Sequence, residues 1–191
     1  MRSTCLLVLI GAAMLAGCAS TPKHDPTPVV VNPLIEAQQA LASGDLRQAE
    51  SYLGSAPARL EDGDIRSRVR VLLLAELALR RGEDANAARL AEMVRSVNAD
   101  DPQAAELLGK VAISQGRFTD AAQMFESARA LYTLDDDRQR ASDLLWLTHG
   151  LAAYGEGNVS EARRNWGRIQ SPALRAQFER AYASVVEAES N

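Results

Sequence analysis

From residue 33 onward, apolar residues recur at intervals of three and four, which is the period of an amphipathic α-helix. Residues 102–131 show this most clearly, because two such runs are separated by Gly116. Asp101 and Pro102 combine an N-cap with a proline at the first helical position, which is typical of a helix start. Runs of β-branched residues, which favour strands, are few. The pattern therefore predicts an all-α fold built from pairs of helices.

Residues 102–131 also place small and large side chains where the two helices of a hairpin would cross. Small residues allow the two backbones to approach closely, and larger ones fill the remaining space. The small residues are Gly109, Ala121 and Ala128, and the larger ones are Leu108, Phe118, Met124 and Phe125. We expect the hydroxyl of Thr119 to cap the second helix, as the side chains of Asp84 and Ser160 would in neighbouring pairs.

Glycines mark the turn of each expected helix pair. They are Gly44, Gly82, Gly116 and Gly157, at spacings of 38, 34 and 41 residues. The last interval is the longest, and we expect a long first helix to begin there at residues 135–137, which are three aspartates. A final helix is predicted to start at Ser171 and Pro172 and to be apolar on one face, as the end of a stack requires.

The residues Leu108, Gly109, Gly116, Phe118, Ala121, Phe125 and Ala128 together resemble the tetratricopeptide repeat (TPR), a helical hairpin of 34 residues. The other copies are weaker, since the second lacks the aromatic residues. The resemblance covers about residues 32–191. It implies a right-handed α-solenoid of about four TPR-like hairpins with a C-terminal capping helix, which we assign to residues 34–191.

The N-terminal segment predicts export and lipid attachment. Residues 1–17 contain one arginine and a short apolar run, as a signal peptide does. Leu15 to Cys18 resembles a bacterial lipobox, in which the cysteine is acylated and becomes the first mature residue. Residues 18–33 would be a proline-rich tether. Because Ala19 is not an aspartate, the resemblance implies a palmitate-bearing protein on the outer membrane that faces the periplasm. The alternative is an ordinary secretory signal with a chance cysteine.

Composition and side-chain chemistry argue against several functions. The net charge is −4 with both signs interspersed, so no basic stripe indicates a nucleic-acid partner. The adjacent carboxylates at 135–137 cannot all converge on one ion, and Arg138 and Arg140 follow them as in an ordinary helix start. His149 replaces a large apolar residue of the repeat and should be in the core or half-buried. No serine or cysteine nucleophile lies at a recognisable spacing from it. We expect no metal, no cofactor and no catalytic residue.

The TPR resemblance also implies a concave groove, lined by the first helix of each hairpin, that takes an extended peptide or a partner helix. Its lining residues would be Leu72, Glu76, Leu79, Arg80, Glu106, Lys110, Ile113, Leu144, Leu147, Leu151 and Tyr154. The last four form an apolar patch that needs cover. Either the long helix or the terminal helix folds over it, or a partner binds there.

The expected function is a non-enzymatic scaffold that binds an envelope protein or peptide segment and reaches the membrane through its lipid anchor. Lipoproteins of this construction serve in pilus and secretion assembly, which we favour, in the regulation of peptidoglycan synthesis, and in β-barrel assembly. A cell-wall or peptide hydrolase is the alternative of another class, but no carboxylate pair stands against an apolar wall. A glycan binder would need more exposed aromatic residues.

Overall fold

A computed structural model describes residues 32–56 and 65–176, which lie within the unit Val31–Asn191. These residues form helices and the turns between them, without a strand, so the all-α prediction is confirmed for this part of the chain. The helices are α1 (Pro33–Ser43), α2 (Leu46–Ser55), α3 (Ile65–Arg80), α4 (Asp84–Val97), α5 (Pro102–Ser114), α6 (Phe118–Leu131), α7 (Asp135–Gly155) and α8 (Val159–Trp166). A further helical segment begins at Pro172. The signal peptide, Cys18 and all but the end of the tether lie outside the described residues.

The same turn joins the two helices of each pair. Gly44, Gly82, Gly116 and Gly157 all have positive φ, between 71° and 82°, a conformation that L side chains rarely adopt. The backbone N–H of the residue that follows each glycine donates to the carbonyl of an alanine four residues before that glycine, at 2.8 to 2.9 Å. Those alanines are Ala40, Ala78, Ala112 and Ala153. The predicted turn positions are therefore confirmed, and one hydrogen-bond pattern ends every first helix.

The predicted N-caps Thr119, Asp84 and Ser160 are wrong by one or two residues. The left-handed glycine completes the turn so quickly that the residue directly after it becomes the N-cap. Asn158 fills this place in the last pair, and its side chain accepts the N–H of Glu161 at 3.2 Å. In α4 and α6 the cap residue makes no such bond. The turn geometry, and not a strong cap, starts these second helices.

Each helix packs against its neighbours along the chain, and α3 also contacts α1 and α5. The alanine five residues after each turn glycine is fully buried; these are Ala49, Ala87, Ala121 and Ala162. Gly109 lies so close to Phe125 that an added Cβ would be 2.7 Å from the ring, and an added Cβ at Gly150 would come still closer to the indole of Trp166. The first two pairs have Ala37 and Ala75 at this position, and smaller residues than an aromatic ring opposite them. A glycine on one helix is therefore matched by an aromatic side chain on the other, and an alanine is matched by a smaller side chain, which keeps each crossing closely packed.

The long helix α7 begins at Asp135 as predicted and has 21 residues. The carboxylate of Asp143 near its middle is buried and accepts the backbone N–H groups of Gln170 and Ser171, each at 2.8 Å. The hydroxyl of Ser171 in turn accepts the N–H of Leu174 at 3.3 Å, which confirms the predicted cap of the last segment. Gln170 and Ser171, just after α8, are thereby fixed against α7. None of the helices described here is long and apolar enough to cross a membrane.

Candidate functional site

The first helices of three successive pairs, α3, α5 and α7, are connected by alternating charges. Lys110 Nζ lies 3.5 Å from the Glu76 carboxylate on α3 and 3.0 Å from the Glu106 carboxylate on its own helix. Glu106 also accepts from Arg140 Nε on α7 at 3.1 Å. Arg140 then reaches Asp137 at 2.6 Å. We call these five residues the ion-pair network.

Glu106 is the buried centre of the network, with a side chain only 7% exposed. It also accepts a hydrogen bond of 2.8 Å from the hydroxyl of Tyr132. Burial raises the pKa of the Glu106 carboxyl, but the charges of Lys110 and Arg140 and the Tyr132 bond outweigh burial and hold the pKa below its usual range. Burial, and then the charge of Glu106, raise the pKa of Tyr132. Near neutral pH the carboxylate therefore stays ionised and the phenol stays protonated.

Arg140 lies at the edge of the same cluster. Its guanidinium also donates to the Tyr132 hydroxyl at 3.1 Å and lies over the Tyr132 ring. Burial lowers the pKa of Arg140, but the charge of Glu106 and the bonds to Asp137 and Tyr132 raise it above its ordinary value. Glu106 and Arg140 therefore join α5 to α7 through a carboxyl whose pKa is lowered and a guanidinium whose pKa is raised.

An open cleft of about 650 Å³ lies beside this network, between α5, α7 and residues 170–174. Its size is in the range of ligand pockets. Charged, amide and leucine side chains all contribute to its walls. The lining residues are Glu106, Lys110, Asp136, Gln139, Arg140, Asp143, Leu144, Gln170, Ser171, Ala173 and Leu174. Such a mixture suits a polypeptide segment, which offers backbone polar groups together with polar and apolar side chains.

The predicted groove residues are distributed between the cleft, the network and the core. Glu106, Lys110 and Leu144 line the cleft. Glu76 belongs to the network, and Arg80 pairs with Glu76 at 2.9 Å. Leu79 and Ile113 are half-buried against the core beneath.

The prediction for Leu72 is wrong. Its residue is 7% exposed and belongs to the core cluster with Ala91, Val94 and Leu107. Helix α3 therefore turns this position toward α4 and α5, where no partner could reach it.

The apolar patch on α7 is largely covered by the chain itself. Leu147, Leu151 and Tyr154 are half-buried against the cluster that contains Trp166 of α8, and Leu174 packs there too. Leu144 is half-buried against the cluster that contains Phe125 of α6. Among the described residues, the cover comes from the second helices α6 and α8 and from Leu174 in the terminal segment, which was one of the covers proposed from sequence. The patch is not a free apolar wall.

The prediction for His149 is also wrong, because the residue is exposed. Helix α7 uses Trp146 and Gly150 to contact α8, so the position between them faces solvent. The His149 ring lies 5.9 Å from that of Trp146. The acidic start of α7 consists of ion pairs, Asp135 with Arg138 and Asp137 with Arg140. In residues 32–56 and 65–176, no group of three or more side chains is placed to hold a metal ion.

The site residues that the sequence analysis did not assign to the groove include Tyr132, Arg140 and Asp143. A buried glutamate in an apolar helix face needs partners, so Glu106 itself was the signal that could have prompted a search for the residues that bind it.

Comparison with known proteins does not identify this protein. No protein-family model matches the chain, and no curated protein matches it.

Proposed function

We propose that this protein is a lipid-anchored, non-enzymatic scaffold that binds a segment of a protein partner in the cleft between α5 and α7. The observation that carries this proposal is the cleft itself, about 650 Å³ in volume and lined by charged and leucine side chains. Its floor is held by the ion-pair network, so a partner meets a preorganised surface.

The repeat architecture that we propose is a short solenoid of TPR-like hairpins with a C-terminal cap. Four turns closed by the same glycine and alanine geometry support it. The buried small residues at each helix crossing support it as well. In such stacks, the first helices form a concave surface. The cleft lies between first helices α5 and α7, where that surface would be.

Binding is favoured over hydrolysis by the state of the two buried carboxylates near the cleft. A general acid needs a raised pKa, but the pKa of Glu106 is lowered. Both oxygens of Asp143 already accept backbone N–H groups. The partners of Glu106 and Asp143 therefore explain why each carboxylate is buried, without a catalytic role.

For the location we propose acylation at Cys18 and a periplasm-facing position on the outer membrane. This rests on the sequence pattern at Leu15 to Cys18 and on the residue Ala19. Several acyl chains make a stable anchor, where one would be marginal. The partner would then belong to an envelope machine, with pilus or secretion assembly favoured over peptidoglycan synthesis and β-barrel assembly.

Filling the cleft should abolish partner binding without unfolding the protein. Ala173 is exposed and lines the cleft, so Ala173→Trp adds volume there and removes no contact. Crosslinking in the native envelope followed by mass spectrometry would name the partner, and its affinity for purified variants would then be measured. We expect Ala173→Trp to weaken binding by about tenfold or more. Ala130→Trp is the matched control, because Ala130 is exposed on α6 and does not line the cleft. Equal binding by both variants would exclude the cleft.

Lipid attachment should depend on one of the two cysteines. Cells expressing Cys18→Ser should fail to incorporate an alkyne-labelled palmitate into the protein, and the protein should leave the outer-membrane fraction. Cys5→Ser is the control, since Cys5 lies within the expected signal peptide. Its label should match that of the wild type. Undiminished labelling of Cys18→Ser would rule out this anchor.

A further inference from the structure

Arginines are concentrated in and after α8. Residues 159–176 contain four arginines and one glutamate, although the chain as a whole has a net charge of −4. Arg163, Arg164 and Arg168 are all exposed. None of them lines the cleft between α5 and α7. This is therefore a second charged surface, which we call the α8 surface and define by these three arginines.

Two arginines of the α8 surface lack carboxylate partners among the described residues. Arginines on α3 to α7 commonly pair with acidic side chains, for example Arg80 with Glu76 and Arg129 with Glu126. By contrast, Arg163 and Arg164 make no side-chain hydrogen bond or ion pair with any residue that the structure describes. Their positive charge is therefore not neutralised by the described part of the fold.

Arg168 is held in place by an aromatic ring. Its guanidinium carbon lies 4.4 Å from the centroid of the Trp146 ring. Such a cation–π contact fixes the guanidinium without using a carboxylate. The planar N–H donors of arginine match the two oxygens of a carboxylate, and a positioned guanidinium loses less entropy when it binds one.

We propose that the α8 surface binds an acidic segment of a protein, through ion pairs between its arginines and aspartate or glutamate side chains. Charge complementarity is the argument for this partner. The inference concerns a surface separate from the cleft and does not depend on the proposed function.

A membrane surface fits α8 less well. Helices that lie on membranes place an apolar face in the lipid. The apolar side chains of α8 are already used in the core, where Ala162 and Trp166 are buried. Its solvent-facing side carries Ser160 and Glu161, and no large exposed hydrophobic residue of the described chain lies on it. An acidic protein segment can place its carboxylates away from Glu161, whereas the uniformly anionic surface of a membrane would lie close to it and repel it.

Fluorescence anisotropy with the full chain in a non-ionic detergent tests the proposal. The probe is a labelled peptide of alternating glutamate and alanine, and its counterpart with glutamine in place of glutamate is the negative probe. We expect the acidic peptide to bind, the glutamine peptide not to bind, and the affinity to fall as salt is raised. Arg163→Gln with Arg164→Gln should weaken binding by about tenfold or more, because charged hydrogen bonds are lost.

Arg117→Gln with Arg129→Gln is the matched control. It removes the same charge from arginines that already have carboxylate partners, so binding should stay within about twofold of the wild type. Arg164→Glu is a second variant at the α8 surface in case the double variant folds poorly. Equal losses in the two double variants, or no binding of the acidic peptide, would overturn the proposal. Binding only to phosphatidylglycerol vesicles or to single-stranded DNA, with the same dependence on Arg163 and Arg164, would overturn it as well.

Discussion

Replacing Gly150 with alanine should lower the free energy of unfolding by about 2–3 kcal/mol, because it overpacks the crossing of α7 and α8. A Cβ at this position would overlap the indole of Trp166. The indole cannot easily retreat, because its N–H donates to the Leu147 carbonyl at 3.3 Å and the residue is buried. Urea unfolding followed by circular dichroism would measure the change.

Two further variants separate overpacking from the general effect of glycine. Gly54→Ala in α2 meets no atom within 4 Å, so it should raise the free energy of unfolding by about 0.5–1 kcal/mol. Adding Trp166→Leu to Gly150→Ala should recover part of the loss, because the first pair has Ala37 and Leu53 in these places. Additive effects of the two substitutions, or a Gly150→Ala variant as stable as the wild type, would show that this crossing is not tightly packed.

The features predicted correctly from sequence are those set by neighbouring residues. The turn at Gly116 needs only a residue that tolerates positive φ and the helix before it. The close approach at Gly109 follows from helix period and the size of Phe125, sixteen residues later in the same pair. The cap expected at Thr119 failed because the turn is shorter than the general pattern assumes. The shift of two residues, from Thr119 to Arg117, is set by the backbone of the turn, which the sequence does not show.

The site was harder to predict because it depends on contacts between residues that are far apart in the chain. The bonds of Glu106 to Tyr132 and Arg140 join residues 26 and 34 positions apart. No local pattern relates such positions. Leu72 and His149 were assigned to the wrong environments for the same reason. Helical period shows which residues share a face, but only the packing of α4, α5 and α8 shows which face is covered.

The packing also changes where a partner can be sought. The apolar patch on α7 is covered by α6, by α8 and by Leu174 of the terminal segment, so it explains how the last pair is held and not how a partner binds. The cleft and the α8 surface remain open, and they differ in chemistry. In the cleft, of about 650 Å³, Glu106 pairs with Lys110 and Arg140, whereas Arg163 and Arg164 on α8 lack carboxylate partners among the described residues. Shape should therefore govern binding at the cleft, and charge should govern it at α8.

Glu106→Ala should lower the free energy of unfolding at neutral pH by about 3 kcal/mol, because it leaves a buried phenol and two cations without their common partner. Glu106→Gln should cost less, since its amide oxygen can still accept from Tyr132. Urea unfolding at several pH values would measure both.

The pH dependence distinguishes the charge of Glu106 from its volume. The pKa of Glu106 is lower in the folded state than in the unfolded chain, so its ionised form stabilises the fold. This contribution is complete above the ordinary glutamate pKa of about 4.3, and it is lost as the pH falls through the pKa of the folded state. The advantage of the wild type over Glu106→Gln should therefore shrink below that pH. Glu50→Gln is the control, because Glu50 pairs with Arg81 in solvent and its replacement should change stability little. A wild-type advantage that stayed constant down to pH 3 would mean that the network stabilises the protein by packing and not by charge.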